Sequence, residues 1–127
     1  MEQAIEPGYK VIQEGKAKIL YESSPDEKEG VPPVFYNPVQ EFNRDISILS
    51  LNAYAKLRKA GGETEGLKVL EALAATGLRS IRFLKEVPDI SKIIINDLDP
   101  KAIETAKKNL KYNNIDPSKA QSIVLFV

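Results

Sequence analysis

Apolar residues dominate two short strand-like runs near the start of the chain, Tyr9 to Gln13 and Ala17 to Tyr21, on either side of Glu14-Gly15-Lys16. A glycine-bearing connector between two such runs predicts a hairpin. From Glu22 to Pro33, Ser, Pro, Asp, Glu, Lys and Gly follow one another without periodicity, which predicts a solvated loop. The pattern changes after Asn43. Ile46, Leu49, Ala53 and Leu57 recur at helical spacing, Asn43 is placed to cap the first turn, and Gly61-Gly62 supplies a stop, so a helix is predicted with those four residues on its apolar face.

The remainder alternates between the two patterns. Lys68 to Leu73 is a short apolar run, and Ala74-Ala75-Thr76-Gly77 is a turn of small residues. Leu78 to Val87 reads as a helix with Leu78, Ile81 and Leu84 on one side, ending before Pro88 because a residue that precedes proline avoids helical geometry. Lys92 to Asp97 is a continuous β-branched run of the kind buried on both faces of a parallel sheet. Asp99 caps and Pro100 opens a third helix, with Ala102, Ile103, Ala106 and Leu110 as its apolar face, Glu104 placed to pair with Lys108, and Asn113-Asn114 as its stop. Ser122 to Val127 is a last buried-type strand. Strand, helix, strand, helix, strand predicts right-handed parallel crossovers: an α/β chain in which an N-terminal hairpin precedes a doubly wound sheet.

Composition narrows the chemistry. The 127 residues suffice for one domain, and 43% hydrophobic with 28% charged residues is ordinary for a globular chain. There is no Cys and no His, which removes disulfides, thiolate nucleophiles, the usual zinc sites and histidine proton relays; no metal is expected in this segment. Lys plus Arg equals Asp plus Glu at 18 each, so the whole chain has no field that announces a nucleic acid. The charge is unevenly spread. Residues 1–42 carry 4 Lys against 8 Asp and Glu, whereas residues 43–127 carry 14 basic against 10 acidic residues. No apolar run approaches the length of a membrane span and the first residues are acidic, so a soluble intracellular protein is expected, in nucleus or cytoplasm, with the mitochondrion left open.

In doubly wound folds a ligand lies at the carboxyl ends of the strands, where the first turn must let it approach the backbone. Ala74-Ala75-Thr76-Gly77 meets that need but lacks the three-glycine spacing that cradles a dinucleotide pyrophosphate, which disfavours an NAD-dependent oxidoreductase. Asp97 follows Gly77 by twenty residues at the end of the next strand, where an acid can accept both hydroxyls of a ribose, or can serve with Asp99 simply as turn and cap. S-adenosylmethionine has a ribose and a carboxylate and no pyrophosphate. Arg79, two residues beyond Gly77, can take that carboxylate with its forked donors; the alternative is that Arg79 and Arg82 are solvated helix positions.

Three segments, Val34 to Asp45, Leu70 to Phe83 and Ile93 to Asp99, closely resemble the tRNA (guanine-26, N2) dimethyltransferase family, and Glu14-Gly15-Lys16-Ala17 is similar to that family's opening hairpin. The resemblance runs from about Tyr9 to Asn114. It implies a class I methyltransferase fold that moves methyl groups from S-adenosylmethionine to the exocyclic amine of a tRNA guanine, with Arg44, Arg79 and Asp97 at cofactor-contacting positions and Gly77 in the cofactor turn. Phe35-Tyr36-Asn37-Pro38 then reads either as an aromatic turn over the cofactor or a flipped guanine, or as packing under the hairpin. Asp99-Pro100 follows the second strand, so the family's Asp-Pro-aromatic motif after the fourth strand, like its C-terminal RNA-binding domain, is expected to lie outside these 127 residues. Residues 1–42 are accordingly expected to be an extension and residues 43–127 the first half of the cofactor-binding domain, with the catalytic residues beyond Val127. Such a chain is expected to bind tRNA weakly, to aggregate along an unprotected strand, Lys68 to Leu73, and to transfer no methyl alone. A non-catalytic cofactor-binding or partner-binding fragment is the alternative.

Overall fold

The computed structural model describes residues 4–22 and 34–124. Strands β1 (Tyr9–Glu14) and β2 (Ala17–Glu22) form an antiparallel hairpin, and a 3-10 turn (Pro38–Gln40) leads into helix α1 (Glu41–Ala60). Strand β3 (Leu67–Glu71), helix α2 (Leu78–Glu86), strand β4 (Ile90–Asp97), helix α3 (Pro100–Tyr112) and strand β5 (Ala120–Val124) follow. The three later strands form one parallel sheet in the order β3-β4-β5, as expected of two successive crossovers. Most of the loop anticipated at Glu22 to Pro33 lies outside the described residues, as does the end of the last predicted strand, residues 125–127; Glu22 itself closes β2.

The main core lies between the sheet and its helices, where Ile93 and Ile95 of β4 are fully buried against Phe83, Ile103 and Ala106. A second cluster joins the hairpin to α2 through Ala17, Ile19, Leu78 and Ile81. Two buried asparagines of α3 fasten the hairpin in place. Asn109 Oδ1 accepts from Leu20 N at 2.8 Å while its Nδ2 donates to Thr76 O at 2.9 Å, and Asn113 accepts from Lys18 N at 2.9 Å and donates to Lys18 O at 2.6 Å. One side chain thus ties the hairpin to the turn that follows β3. Lys108, predicted to pair with Glu104, has its ammonium 5.5 Å from the centre of the Tyr9 ring.

Two features of α1 depart from the expectation. The helix begins at Glu41, two residues before Asn43, because Asn37 caps the preceding 3-10 turn by accepting from Val39 N at 3.0 Å and Pro38 fixes the first position. Its buried face is Arg44, Ile48 and Ala55, with Leu51 partly covered, whereas the anticipated face is exposed: Ile46 by 45%, Leu49 by 65% and Leu57 by 71%. The helix carries two apolar stripes, and the one turned inward is the one that brings Arg44 to a buried carboxylate. Hydropathy alone does not register that gain.

Among the described residues β3 pairs only with β4, so its other edge is open, and Leu70 and Leu73 beside it are exposed by 63% and 81%. An open edge next to apolar side chains is a template for pairing with another chain. The 127-residue polypeptide is therefore expected to self-associate on sizing chromatography, and the pair Leu49→Lys and Leu57→Lys to increase the monomer fraction without altering the circular dichroism. Monodisperse elution of the unsubstituted chain at high concentration contradicts this.

Candidate functional site

The carboxyl ends of β3 and β4 meet the start of α2 and the first turns of α1. The connection after β3 is shaped by its small residues. Gly77 adopts φ +78°, and a Cβ built on it would lie 3.0 Å from the Ala106 Cβ, so this position needs glycine both for its left-handed backbone and for the close approach of α3. Ala75 is also left-handed, at φ +47°, a conformation disfavoured for a residue with a Cβ. Its N–H donates to Asp97 Oδ2 at 2.8 Å, while Asp97 Oδ1 accepts from Asp99 N at 2.9 Å. Asp97 therefore clamps the turn after β3 to the end of β4. Asp99 caps α3 by accepting from Lys101 N, as anticipated.

Each Asp97 oxygen accepts one of these bonds and has two lone pairs, so acceptor capacity remains on both. Ala74, Ala75 and Thr76 of the turn, with Arg44 and Arg79, line a cavity of about 260 Å³ that Phe35 and Tyr36 also line; Gly77 is not part of that lining. Asp97 is not part of that lining and reaches it through Ala75. An apolar cavity of about 670 Å³ between α1 and β3 adjoins it, sharing Glu71, Leu73 and Arg79. Arg79 is held from α1: its Nη2 donates to Asn43 Oδ1 at 2.8 Å and its Nη1 to Ser47 Oγ. Arg44 is buried and forks onto Glu14, Nε to Oε2 at 2.7 Å and Nη2 to Oε1 at 2.6 Å, with a further bond from Nη2 to Asn37 O. Solvated helix positions do not describe Arg79 or Arg82. Arg82 is 4% exposed and binds Glu14, Asp45 and Glu86, and the hydrogen bond to Glu86 is the largest influence raising its pKa.

The aromatic turn divides the two readings between neighbours. Tyr36 packs under the hairpin, edge-on to Tyr21 at 5.7 Å between ring centres, while Phe35 is 69% exposed at the cavity mouth. Two acids were not anticipated. Glu14 stands in the connector of the expected hairpin, and only the resemblance of Glu14-Gly15-Lys16-Ala17 to the family's opening hairpin draws notice to it. Glu71 interrupts the apolar run of β3, which is an odd place for a charge; its carboxylate accepts from Ser80 N at 3.1 Å and from Ser80 Oγ, and lies 3.9 Å from Arg79 Nε. Burial pushes the Glu71 carboxyl up to about 7, against the opposing pull of Ser80 and Arg79.

The fold is similar to that of solved methyltransferases. The S-adenosyl-L-methionine complex of Trm1 from Pyrococcus horikoshii superposes with a TM-score of 0.63 at 39% identity, covering 81% of this chain and 23% of that one. A putative methyltransferase, SMU.776, complexed with SAH, has a TM-score of 0.66 at 16% identity over the whole chain and 28% of its own length, a likeness of fold alone. The fold is that of the class I methyltransferases. Residues 15–125 match the family described as N2,N2-dimethylguanosine tRNA methyltransferase, and the chain belongs to that family. The mitochondrial tRNA (guanine(26)-N(2))-dimethyltransferase of Saccharomyces cerevisiae is 33% identical over 85% of this chain and 25% of its own length. The tRNA (guanine(26)-N(2)/guanine(27)-N(2))-dimethyltransferase of Aquifex aeolicus is 43% identical over 83% of this chain and 26% of its own. The chain thus spans about a quarter of the length of the curated relatives it matches. Among the described residues no helix is long and apolar enough to cross a membrane.

Two outcomes follow from the local chemistry. Gly77→Ala forces a Cβ into a left-handed position against Ala106 and should lower stability by about 1–2 kcal/mol, read from the denaturation midpoint; an unchanged midpoint contradicts the strain. Because the folded-state pKa of Glu71 is raised, the neutral acid favours folding. That contribution is complete below the unfolded value near 4.5 and is lost as pH rises through about 7. Glu71→Gln should therefore flatten the fall in melting temperature between pH 5 and pH 8, and an identical slope in both proteins contradicts the assignment.

Proposed function

We propose that this chain supplies the S-adenosyl-L-methionine-binding part of a tRNA (guanine(26)-N2)-dimethyltransferase. The observation that carries the reading is the convergence, at the carboxyl ends of two parallel strands, of an acid with spare acceptor capacity, Asp97, and two oriented guanidiniums, Arg44 and Arg79, in a chain of this family. The donor set suits the ligand. A ribose diol needs acceptors, a carboxylate needs forked donors, and a cofactor without pyrophosphate needs no triple-glycine cradle.

S-adenosylmethionine supplies an electrophilic methyl on a sulfonium. The chain's residues bind and orient. Asp97, joined to the cavity wall through Ala75, takes the ribose hydroxyls with its remaining lone pairs, Arg79 takes the carboxylate, and Arg44 lines the cavity beside Arg79 from α1. Phe35, exposed at the mouth, offers a face on which a guanine taken out of the tRNA stack can rest, and the exocyclic nitrogen must then line up with methyl and sulfur. Acceptors for the departing N2 proton, and most of the phosphate contacts to tRNA, are assigned to the three quarters of the relatives' length that this sequence does not span. Division of the chain into an extension, 1–42, and a cofactor unit, 43–127, accords with this reading, with the hairpin as a brace rather than a separate body.

Calorimetry on the polypeptide that carries this segment tests it. Asp97→Ala removes charged hydrogen bonds worth about 1.5–3 kcal/mol each and should weaken S-adenosylmethionine at least tenfold. Arg79→Lys should also weaken it, because a point charge does not reproduce a fork. Full affinity in Asp97→Ala removes that residue from the site, and no binding by the unsubstituted protein overturns the reading.

A further inference from the structure

We propose that Glu14, on the hairpin and outside the cavity lining, is the positioning residue that sets Arg44 for the cofactor; this rests on the functional reading above. Glu14 is 2% exposed, and its two oxygens take the Nε and Nη2 edges of Arg44 at 2.7 and 2.6 Å. The second Nη2 hydrogen goes to Asn37 O at 3.1 Å, and the guanidinium stands 5.5 Å over the Tyr36 ring. Three contacts from three directions therefore fix the plane of the guanidinium. Among the described residues no hydrogen bond uses Arg44 Nη1, so with Nε and both Nη2 hydrogens committed, the Nη1 amino group is what this side chain, which lines the 260 Å³ cavity, has left to offer a ligand.

Glu14 also accepts from Arg82 Nη1 at 3.0 Å, and Arg82 is held in turn by Asp45 and Glu86. A second cation on the same carboxylate holds it in place from another direction, which a lone Glu–Arg pair does not ensure. Gly15 makes this possible. Its φ is +54°, and a Cβ there would fall 2.6 Å from Glu86 Oε2 and 2.8 Å from Arg82 Nε, so any side chain at this position strains the left-handed turn and displaces the Glu86 and Arg82 side chains. The opening hairpin thus reaches the cofactor cavity through one carboxylate without touching it.

The test is a double-substitution cycle on the dissociation constant for S-adenosylmethionine, measured by calorimetry on the full polypeptide carrying this segment. Glu14→Gln keeps the shape and should weaken binding about tenfold. In an Arg44→Ala background the same change should have no further effect, an outcome that a merely structural role would not give. Glu63→Gln, whose ion pair with Arg58 touches neither Arg44 nor Arg82, should leave affinity within twofold. If Glu14→Gln does not fold, Glu14→Asp, which withdraws the carboxylate by one methylene, carries the same cycle. Full affinity in the Glu14 variant, or equal losses with and without Arg44, overturns the assignment while leaving the functional reading intact; absence of binding by the unsubstituted protein overturns both.

Discussion

A single buried carboxylate joins the parts of this chain. Glu14 sits between two arginines from different helices, Arg44 of α1 and Arg82 of α2, and is almost fully enclosed with them. Burying these charges is costly, and the cost is offset only because every partner is present with hydrogen-bonding geometry. Removing one partner of such a set typically costs about 3–5 kcal/mol, because the others are left charged in a dry place. The cluster therefore fixes which stripe of α1 faces inward, how the hairpin seats, and how α2 packs against both. The turn after β3 takes its place between them.

A second constraint acts on the opposite side of that turn. Asp97 holds Ala75 in a left-handed conformation, Asn109 holds the Thr76 carbonyl, and Gly77 lets α3 come close. Three consecutive residues are tied to two elements, β4 and α3, so the cavity wall is preorganised by backbone and needs little side-chain bulk. A ligand meeting such a wall does not have to order it, which lowers the entropic cost of binding.

Most of the fold was legible in the sequence. The β-branched run of β4, the capping pair Asp99-Pro100 and the small-residue turn each express a local preference that agrees with the tertiary structure, so periodicity and punctuation found them to within a few residues. The buried face of α1 was not legible, since both of its stripes are apolar and the choice is made by Glu14 some thirty residues away. The site divides in the same manner. Asp97 and Arg79 lie where any doubly wound fold puts ligand contacts, and the family resemblance added Arg44. Glu71 and Glu14 act through partners distant in sequence, Ser80 for one and two arginines for the other, and spacing carries no trace of such pairings.

The central claim is that the ends of β3 and β4, with Arg44 and Arg79, form the cofactor-binding surface. The most direct measurement is a titration with S-adenosylmethionine followed by amide and arginine Nε–H resonances of the polypeptide carrying this segment. Saturable shifts confined to residues 74–78 and 97–99 and to the side chains of Arg44 and Arg79 are predicted, with the cavity around Tyr9, Lys108 and Tyr112 on the far side of the hairpin unmoved. Shifts clustered at that second cavity, or none near Ala75 and Asp97 at saturating ligand, would contradict the account.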